Sequence, residues 1–197
     1  MALLILGLVL FLGTHAFSMA RGPRAALVER LGANGFKIGY SVLSVAGLVL
    51  AVVGFGAYRS SGYIQVWDPP VFTRHLALLL MLLAFIVLAS MNLPSHIRAW
   101  AKHPMLLGVK IWATAHLLAN GDLGSILLFG GFLAWAVAAR ISAKRRPLTP
   151  VQAERQTAPA GWRNDVIAVV AGTVVWFVFA RFLHYPLIGV YAWPGLA

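Results

Sequence analysis

Six long apolar blocks limit what this chain can fold into. They cover residues 2–20, 38–57, 72–91, 104–120, 123–141 and 164–184. A helix that crosses the hydrocarbon core of a bilayer needs about 20 mostly apolar residues. Only 11% of the residues are charged, whereas a soluble domain has about 25%. The sequence therefore predicts an all-α, polytopic membrane helical bundle with about six transmembrane helices.

The first block also looks like the apolar core of a signal peptide, because the small residues Ser18 and Ala20 follow it. A signal peptide has a basic stretch before its apolar core, and no such stretch precedes this block. We expect an uncleaved first crossing. No internal repeat or second domain is evident, so residues 1–197 are expected to form one transmembrane domain.

The net charge of +11 follows the pattern of a membrane protein and not that of a nucleic-acid binder. Basic residues that face the cytoplasm fix the orientation of membrane helices. Only Arg59, Arg74 and Arg181 fall on one predicted side, and Lys110 lies within a block. The other side has Arg21, Arg24, Arg30, Lys37, Arg98, Lys102, Arg140, Lys144, Arg145, Arg146, Arg155 and Arg163. This asymmetry predicts both termini outside and the polar segment 142–163 in the cytoplasm.

The common catalytic motifs are missing from the sequence. The five acidic residues lie in loops or at block ends, and no two have helical spacing, which disfavours chemistry by paired carboxylates. There is no Gly-x-Ser-x-Gly elbow, phosphate-binding loop or HExxH pair. With no cysteine, thiolate ligands and disulfides are excluded. No catalytic residue is assigned, and whether the protein is an enzyme stays open.

Six histidines stand out in a chain with so few polar side chains. Ionisable groups inside a membrane are costly and usually functional. His15 and His116 lie at least one helical turn from a polar boundary, where either a structural hydrogen bond or a ligand role fits. The other four are interpreted as interface anchors (His75 and His184), a helix-entry residue (His103, before Pro104) and a solvated loop residue (His96).

The block around His116 contains a stripe of four residues at intervals of four: Gly108, Trp112, His116 and Asn120. Residues at this spacing lie on one side of a helix. The stripe suits either a flat apolar ligand or close packing on another helix, and spacing alone does not separate the two.

Two deep histidines favour haem over zinc. Neutral imidazole is a usual axial ligand of haem iron, and bundles build cofactor sites from facing helices. Zinc normally takes three or four protein ligands. No Cys-x-x-Cys-His motif is present, which excludes covalent haem attachment.

Three stretches carry a family resemblance: FLGTHAFSMAR, LVERLG and KHPMLLGVKIWATAHLLANGD. They resemble the NnrU family of integral membrane proteins over nearly the whole chain. That family takes its name from nitrite and nitric oxide reduction in denitrifying bacteria. The resemblance implies a multi-pass protein of the bacterial inner membrane that supports this metabolism, with the bilayer as its environment and nitric oxide as a possible ligand.

The same residues resemble 15-cis-ζ-carotene isomerase, a membrane enzyme that uses haem b. The resemblance implies His15 and His116 as haem-iron ligands and a polyene as the alternative substrate. The isomerase motif WCxAH has a cysteine where this chain has Ala113. A mechanism in which that thiolate exchanges as a ligand therefore cannot operate in this chain.

Depth in the membrane suggests other pairs of ligands. In the predicted topology, the Cα atoms of His15 and His116 differ in depth by roughly 10–15 Å, at 1.5 Å per residue. Depth alone pairs His15 with His103, and His116 with His75 or His184. The pair His15 and His116 is retained, with His103 as the leading substitute and with Trp112 and His75 as less certain contributors to the site.

Three functions follow from the sequence. The first is a haem-b protein of nitrogen-oxide metabolism that acts by redox chemistry or by sensing nitric oxide. The second is a haem-dependent cis–trans isomerase. The third is an accessory membrane protein without a cofactor, whose histidines only connect helices.

The topology has a direct test. A periplasmic reporter such as alkaline phosphatase, fused after Ala197, should be active, because the basic residues hold the adjoining segment in the cytoplasm. A cytoplasmic reporter at the same position should be inactive. The opposite pair of results would contradict the predicted orientation.

Overall fold

The computed structural model of the protein describes residues 1–147, 150, 153 and 159–193. The predicted cytoplasmic segment 142–163 falls partly outside this range. The described chain is helical apart from short connections, and its β pairing is limited to one isolated bridge between Gln65 and Asp122.

Eight α-helices lie within the described residues. A π-helical turn, Phe179–Leu183, joins the last two, and a 3-10 turn, Ser90–Asn92, follows the third. The helices are α1 (Ala2–Phe17), α2 (Arg21–Ser60), α3 (Val71–Ala89), α4 (His96–Ala101), α5 (Pro104–Ala119), α6 (Leu123–Lys144), α7 (Trp162–Val178) and α8 (His184–Ile188).

Every predicted apolar block is helical, which confirms an all-α membrane protein. Four helical stretches are long and apolar enough to cross a bilayer: Arg21–Ser60, Val71–Asn92, Leu123–Lys144 and Trp162–Ile188. The other two blocks form α1 and α5, which are apolar and have 16 residues each. Such a helix is about 24 Å long, and the hydrocarbon core is about 30 Å thick. The count of six crossings stays a prediction.

The basic segment after the first block, residues 21–37, is helical. It forms the first part of α2, which is interrupted at Gly32 with φ 71° and ψ 162°. Glycine adopts a positive φ without the steric cost that a side chain brings. Arg24 lies over the ring of Phe36 at 5.3 Å, so a cation–π contact links the two sides of the interruption.

The helices form two compact groups. The first contains residues 1–68 and 120–142, which are α1, α2 and most of α6. The second contains 69–119 and the described part of 143–197, which are α3, α4, α5, α7 and α8.

Close backbone contact between α1 and α2 organises the first group. A Cβ added at Gly7 would lie 2.7 Å from Ala51 Cα, one at Gly47 would lie 2.6 Å from Phe11 N, and one at Gly54 would lie 2.7 Å from Leu4 Cα. Small residues allow such an approach where helices cross in membranes. The three contacts place α1 antiparallel to α2 in a constant register. Leu4, Leu8 and Ala51 form the core, and Leu128 and Phe132 of α6 pack on it.

The Asn-Gly-Asp end of the family motif fastens the start of α6. The carbonyl oxygen of Gly121 accepts hydrogen bonds from Val66 N at 2.9 Å and Trp67 N at 3.1 Å. A Cβ at Gly121 would overlap the carbonyl oxygen of Trp67. Asp122 Oδ1 accepts a 2.9 Å hydrogen bond from Ser125 N, which caps the helix. This part of the motif is structural.

In the second group, α3 contacts both α5 and α7 and is antiparallel to each. A Cβ on Gly108 of α5 would lie 2.7 Å from Leu88 Cγ, and one on Gly172 of α7 would lie 2.6 Å from Ile86 Cα. For Gly108, the structure therefore favours helix packing over ligand approach.

The glycine contacts predict a matched pair of variants. Gly54→Ala should destabilise the protein by about 1–3 kcal/mol, since its methyl group would push the backbones of α1 and α2 apart. Gly56→Ala is the control, because nothing lies within 4 Å of a Cβ at that position and alanine favours the helix. Thermal unfolding in detergent measures both. Equal midpoints would show that the close contact is dispensable.

Candidate functional site

His15 lies in the last turn of α1, within a box of aromatic rings in the first group. Its ring centroid is 4.2 Å from that of Phe11, 5.4 Å from Tyr40 on α2 and 5.7 Å from Trp135 on α6. The Trp135 ring is perpendicular to the imidazole. All three helices of the group therefore contribute to the surroundings of this histidine.

The orientation of the His15 ring is fixed by a hydrogen bond to its own helix. Its Nδ1 lies 2.8 Å from the carbonyl oxygen of Phe11. A carbonyl oxygen can only accept, so Nδ1 carries the proton and the lone pair of the neutral ring is on Nε2. Histidines that bind metals are oriented in this way, with the second nitrogen donating to a carbonyl or a carboxylate.

Two buried polar atoms in the first group lack hydrogen-bond partners among the described residues: Trp135 Nε1 and Ser44 Oγ. Ser44 lies one helical turn beyond Tyr40 on α2, and the register of the glycine contacts places it opposite Thr14. Both atoms therefore lie near the end of α1 that contains His15.

His116, in the last turn of α5, is presented in the same manner in the second group. Its Nδ1 lies 2.9 Å from the carbonyl oxygen of Trp112, and the ring centroids of the two residues are 5.3 Å apart. Trp112 and His116 are thus brought together, as the stripe predicts. Asn120, the last residue of the stripe, follows directly after α5, which ends at Ala119.

The two histidines share a local pattern that the sequence analysis missed. Glycine, an aromatic residue and histidine follow at intervals of four: Gly7, Phe11 and His15 on α1, and Gly108, Trp112 and His116 on α5. In each helix the glycine contacts a neighbouring antiparallel helix, and the aromatic residue provides both the carbonyl and the ring beside the imidazole. Only three positions recur, which is too few for a repeat to be seen in the sequence.

His75 and His184 lie at the end of the second group where α3 begins. Their Nδ1 atoms lie 3.3 Å from the carbonyl oxygen of Val71 and 2.8 Å from that of Val190. His184 follows the π-helical turn, a feature that is frequent at functional sites. His116 and His184 are near enough for their charges to interact. Within the described residues, no group of three or more His, Cys, Asp or Glu side chains could hold a metal ion.

His103 immediately precedes α5, at the opposite end of this group from His75 and His184. Its carbonyl oxygen accepts a 3.0 Å hydrogen bond from Leu107 N, and the preceding Lys102 turns the chain with a φ of 58°. This geometry agrees with the helix-entry interpretation of His103.

His96 is exposed, as the sequence suggests, but it lies in a helix and not in a loop. It begins α4, its Nδ1 lies 2.6 Å from Asp165 Oδ2, and its ring lies 4.6 Å from that of Trp162. The other carboxylate oxygen of Asp165 accepts a 3.0 Å hydrogen bond from Ile97 N. Asp165 is buried, so the pair fastens α4 to the start of α7.

The predicted site residues are divided between the two groups. His15 belongs to the first, whereas His116, Trp112, His75 and His103 belong to the second. Sequence reasoning missed Tyr40, Trp135 and Asp165, which reach their histidines from other helices. Trp135 did carry a signal, since an indole N–H deep in an apolar block needs a partner.

The long apolar helices define an all-helical membrane protein. Two further apolar helices, α1 and α5, each carry a histidine that is a candidate cofactor ligand. A family model described as NnrU protein matches residues 3–192. The chain belongs to the NnrU family, as its motifs predict. No curated protein and no solved structure matches at a significant level.

The contact between His96 and Asp165 yields a stability prediction. Asp165→Ala should lower the free energy of unfolding by about 1–3 kcal/mol, because Ile97 N and the His96 ring lose their acceptor. Arg163→Ala, an exposed position in the same turn, is the control. Thermal unfolding in detergent compares the two. An unchanged midpoint for Asp165→Ala would contradict a fastening role.

Proposed function

We propose that this NnrU-family protein binds haem b without a covalent bond and supports nitrite and nitric oxide metabolism in the bacterial inner membrane. The observation that carries the proposal is the matched presentation of His15 and His116. Each ring is held by a hydrogen bond from Nδ1 to the carbonyl oxygen four residues earlier, in the last turn of an apolar helix.

The residues fit this cofactor in three respects. The lone pair of each neutral ring lies on Nε2, the nitrogen that faces away from the helix carbonyl. Phe11, Tyr40 and Trp135 give the His15 site flat apolar walls that suit a macrocycle. Ser44 and Trp135 add buried polar atoms that lack partners among the described residues.

The chain's own residues orient the ligands and exclude water. His15 and His116 would be the residues that hold haem iron, and the hydrogen bonds to Phe11 and Trp112 keep their rings from rotating. Haem supplies redox chemistry or the reversible binding of a diatomic gas when it is present. Apolar side chains around the site lower the local dielectric constant, which affects the reduction potential of a metal centre.

The proposed topology has six crossings with both termini outside. In it the two shortest apolar helices, α1 and α5, complete the set of crossings, and each carries one proposed ligand. A helix shorter than the hydrocarbon core is accommodated by local thinning of the bilayer at a modest energetic cost.

Residue 113 is the reason to prefer nitrogen-oxide metabolism to carotenoid isomerisation. Ala113 stands where the isomerase motif has its cysteine, and it is fully buried on α5. A methyl group there offers no ligand for exchange on iron. Haem binding itself does not depend on this position.

Absorption spectroscopy of the purified protein tests the proposal. Protein expressed with ample haem should show a Soret band, and His15→Ala or His116→Ala should reduce or shift it, because iron loses an axial ligand. Each variant should still insert and accumulate, since the lost side chain hydrogen bond is local to one helix turn. Thr114→Ala is the matched control, as Thr114 is exposed on α5 and lies two residues from His116.

Two results would contradict the proposal in different ways. A wild-type protein without a Soret band would exclude haem binding and favour the accessory role. A spectrum that survives His116→Ala but is lost in His103→Ala would mean that the ligand pair carried over from the resemblance is wrong.

A further inference from the structure

Buried polar atoms without partners are rare in folded proteins, and each calls for a cause such as a bound ligand. Leaving a buried donor unpaired costs about 1–3 kcal/mol. Among the described residues, such side-chain atoms include Ser44 Oγ, Trp135 Nε1 and Trp176 Nε1. Two of these atoms, Ser44 Oγ on α2 and Trp135 Nε1 on α6, belong to the helices that pack around the end of α1 where His15 lies.

Contacts of α1 show that Ser44 and Trp135 lie at a similar level of the first group. Phe11 contacts both α2, through Gly47, and α6, through Phe132. One turn later, His15 contacts Tyr40 on α2 and Trp135 on α6. Ser44 lies between Tyr40 and Gly47 on the face of α2 that meets α1. The hydroxyl group and the indole N–H therefore lie near the His15 end of α1, one on α2 and the other on α6.

We propose that Ser44 Oγ and Trp135 Nε1 donate hydrogen bonds to a carboxylate side chain of the macrocycle whose iron His15 binds. This inference rests on the haem binding proposed above. It makes Ser44 and Trp135 positioning residues that would orient the macrocycle.

A carboxylate is the acceptor that fits these donors best. An indole N–H donates only, and a hydroxyl group can donate one hydrogen bond. A carboxylate offers two acceptor oxygens and binds donors about twice as strongly as a neutral acceptor does.

The position in the group also suits an anion. His15 is two residues from the end of α1, and the next helix begins with Arg21 and Arg24. A carboxylate held there lies near the basic end of the group, which lowers the energetic cost of keeping its charge in an apolar region.

Haem titration tests the inference with a chemical probe for the carboxylates. Apo-protein in detergent is titrated with haem b and with its dimethyl ester, in which both carboxylates are blocked. Trp135→Phe and Ser44→Ala should each weaken binding of haem b about tenfold or more, as expected for the loss of a hydrogen bond to a charged group. Both substitutions should weaken binding of the ester much less, since its carbonyl oxygens still accept hydrogen bonds but have lost the charge that strengthens them.

Trp176→Phe provides the matched control. Trp176 also has an indole N–H without a partner among the described residues, but it lies in the second group, beside Trp193. Its substitution should leave the dissociation constants of both haem forms unchanged.

Unfolding of the haem-free protein separates ligand positioning from packing. Trp135→Phe should leave the unfolding midpoint of the haem-free protein unchanged or raise it, because the substitution removes an unpaired donor. With haem bound, the same substitution should lower the midpoint. A packing role instead predicts a lower midpoint in both states.

The outcomes distinguish this inference from the proposed function. If His15→Ala abolishes binding while Trp135→Phe and Ser44→Ala leave it unchanged, haem binding stands and the assignment of the carboxylate donors is wrong. An equal loss of affinity for haem b and for its ester would also overturn the assignment, because the donors would then serve an acceptor other than a carboxylate. If the wild-type protein binds neither haem form, both proposals fail.

Discussion

Gly7, Gly47 and Gly54 let the backbones of α1 and α2 touch, and the surroundings of His15 depend on that contact. A side chain at any of the three positions would meet backbone atoms of the opposite helix. The contacts fix the register of the two helices, and the register decides which α2 residues face the end of α1. Tyr40 then meets His15, while Ser44 is buried one turn further along. Packing of small residues thus sets the geometry of the candidate site at a distance of several turns.

Local hydrogen bonding explains how histidine is tolerated in these apolar helices. A polar atom in hydrocarbon has no water to pair with, so it needs a partner within the protein. For His15 and His116 that partner is the carbonyl four residues earlier, whose oxygen has a second lone pair to offer. Satisfying Nδ1 in this way leaves the ligand-competent nitrogen pointing away from its own helix. The hydrogen bond from Nδ1 thus lowers the energetic cost of placing histidine in an apolar helix, and it also makes the residue a suitable ligand.

Local patterns in the sequence predicted the helices, the family and the two deep histidines. Block length and hydropathy repeat along the chain, so they identify helices without knowledge of contacts. Contacts between distant segments leave no such pattern: His96 and Asp165 are 69 residues apart, and Trp135 is 120 positions from His15. His96 was assigned to a solvated loop for this reason. Gly108 was ambiguous because a glycine stripe looks the same whether a ligand or Leu88 fills the space.

An unpaired donor alone does not identify a ligand site, and the two buried tryptophans show why. Trp135 and Trp176 both have an indole N–H without a hydrogen-bond partner among the described residues. Trp176 packs beside the ring of Trp193. Trp135 instead lies perpendicular to an imidazole whose orientation is already fixed by Phe11. The energetic cost of the unpaired N–H becomes evidence for a ligand only where a second group, fixed independently, has a lone pair available beside it.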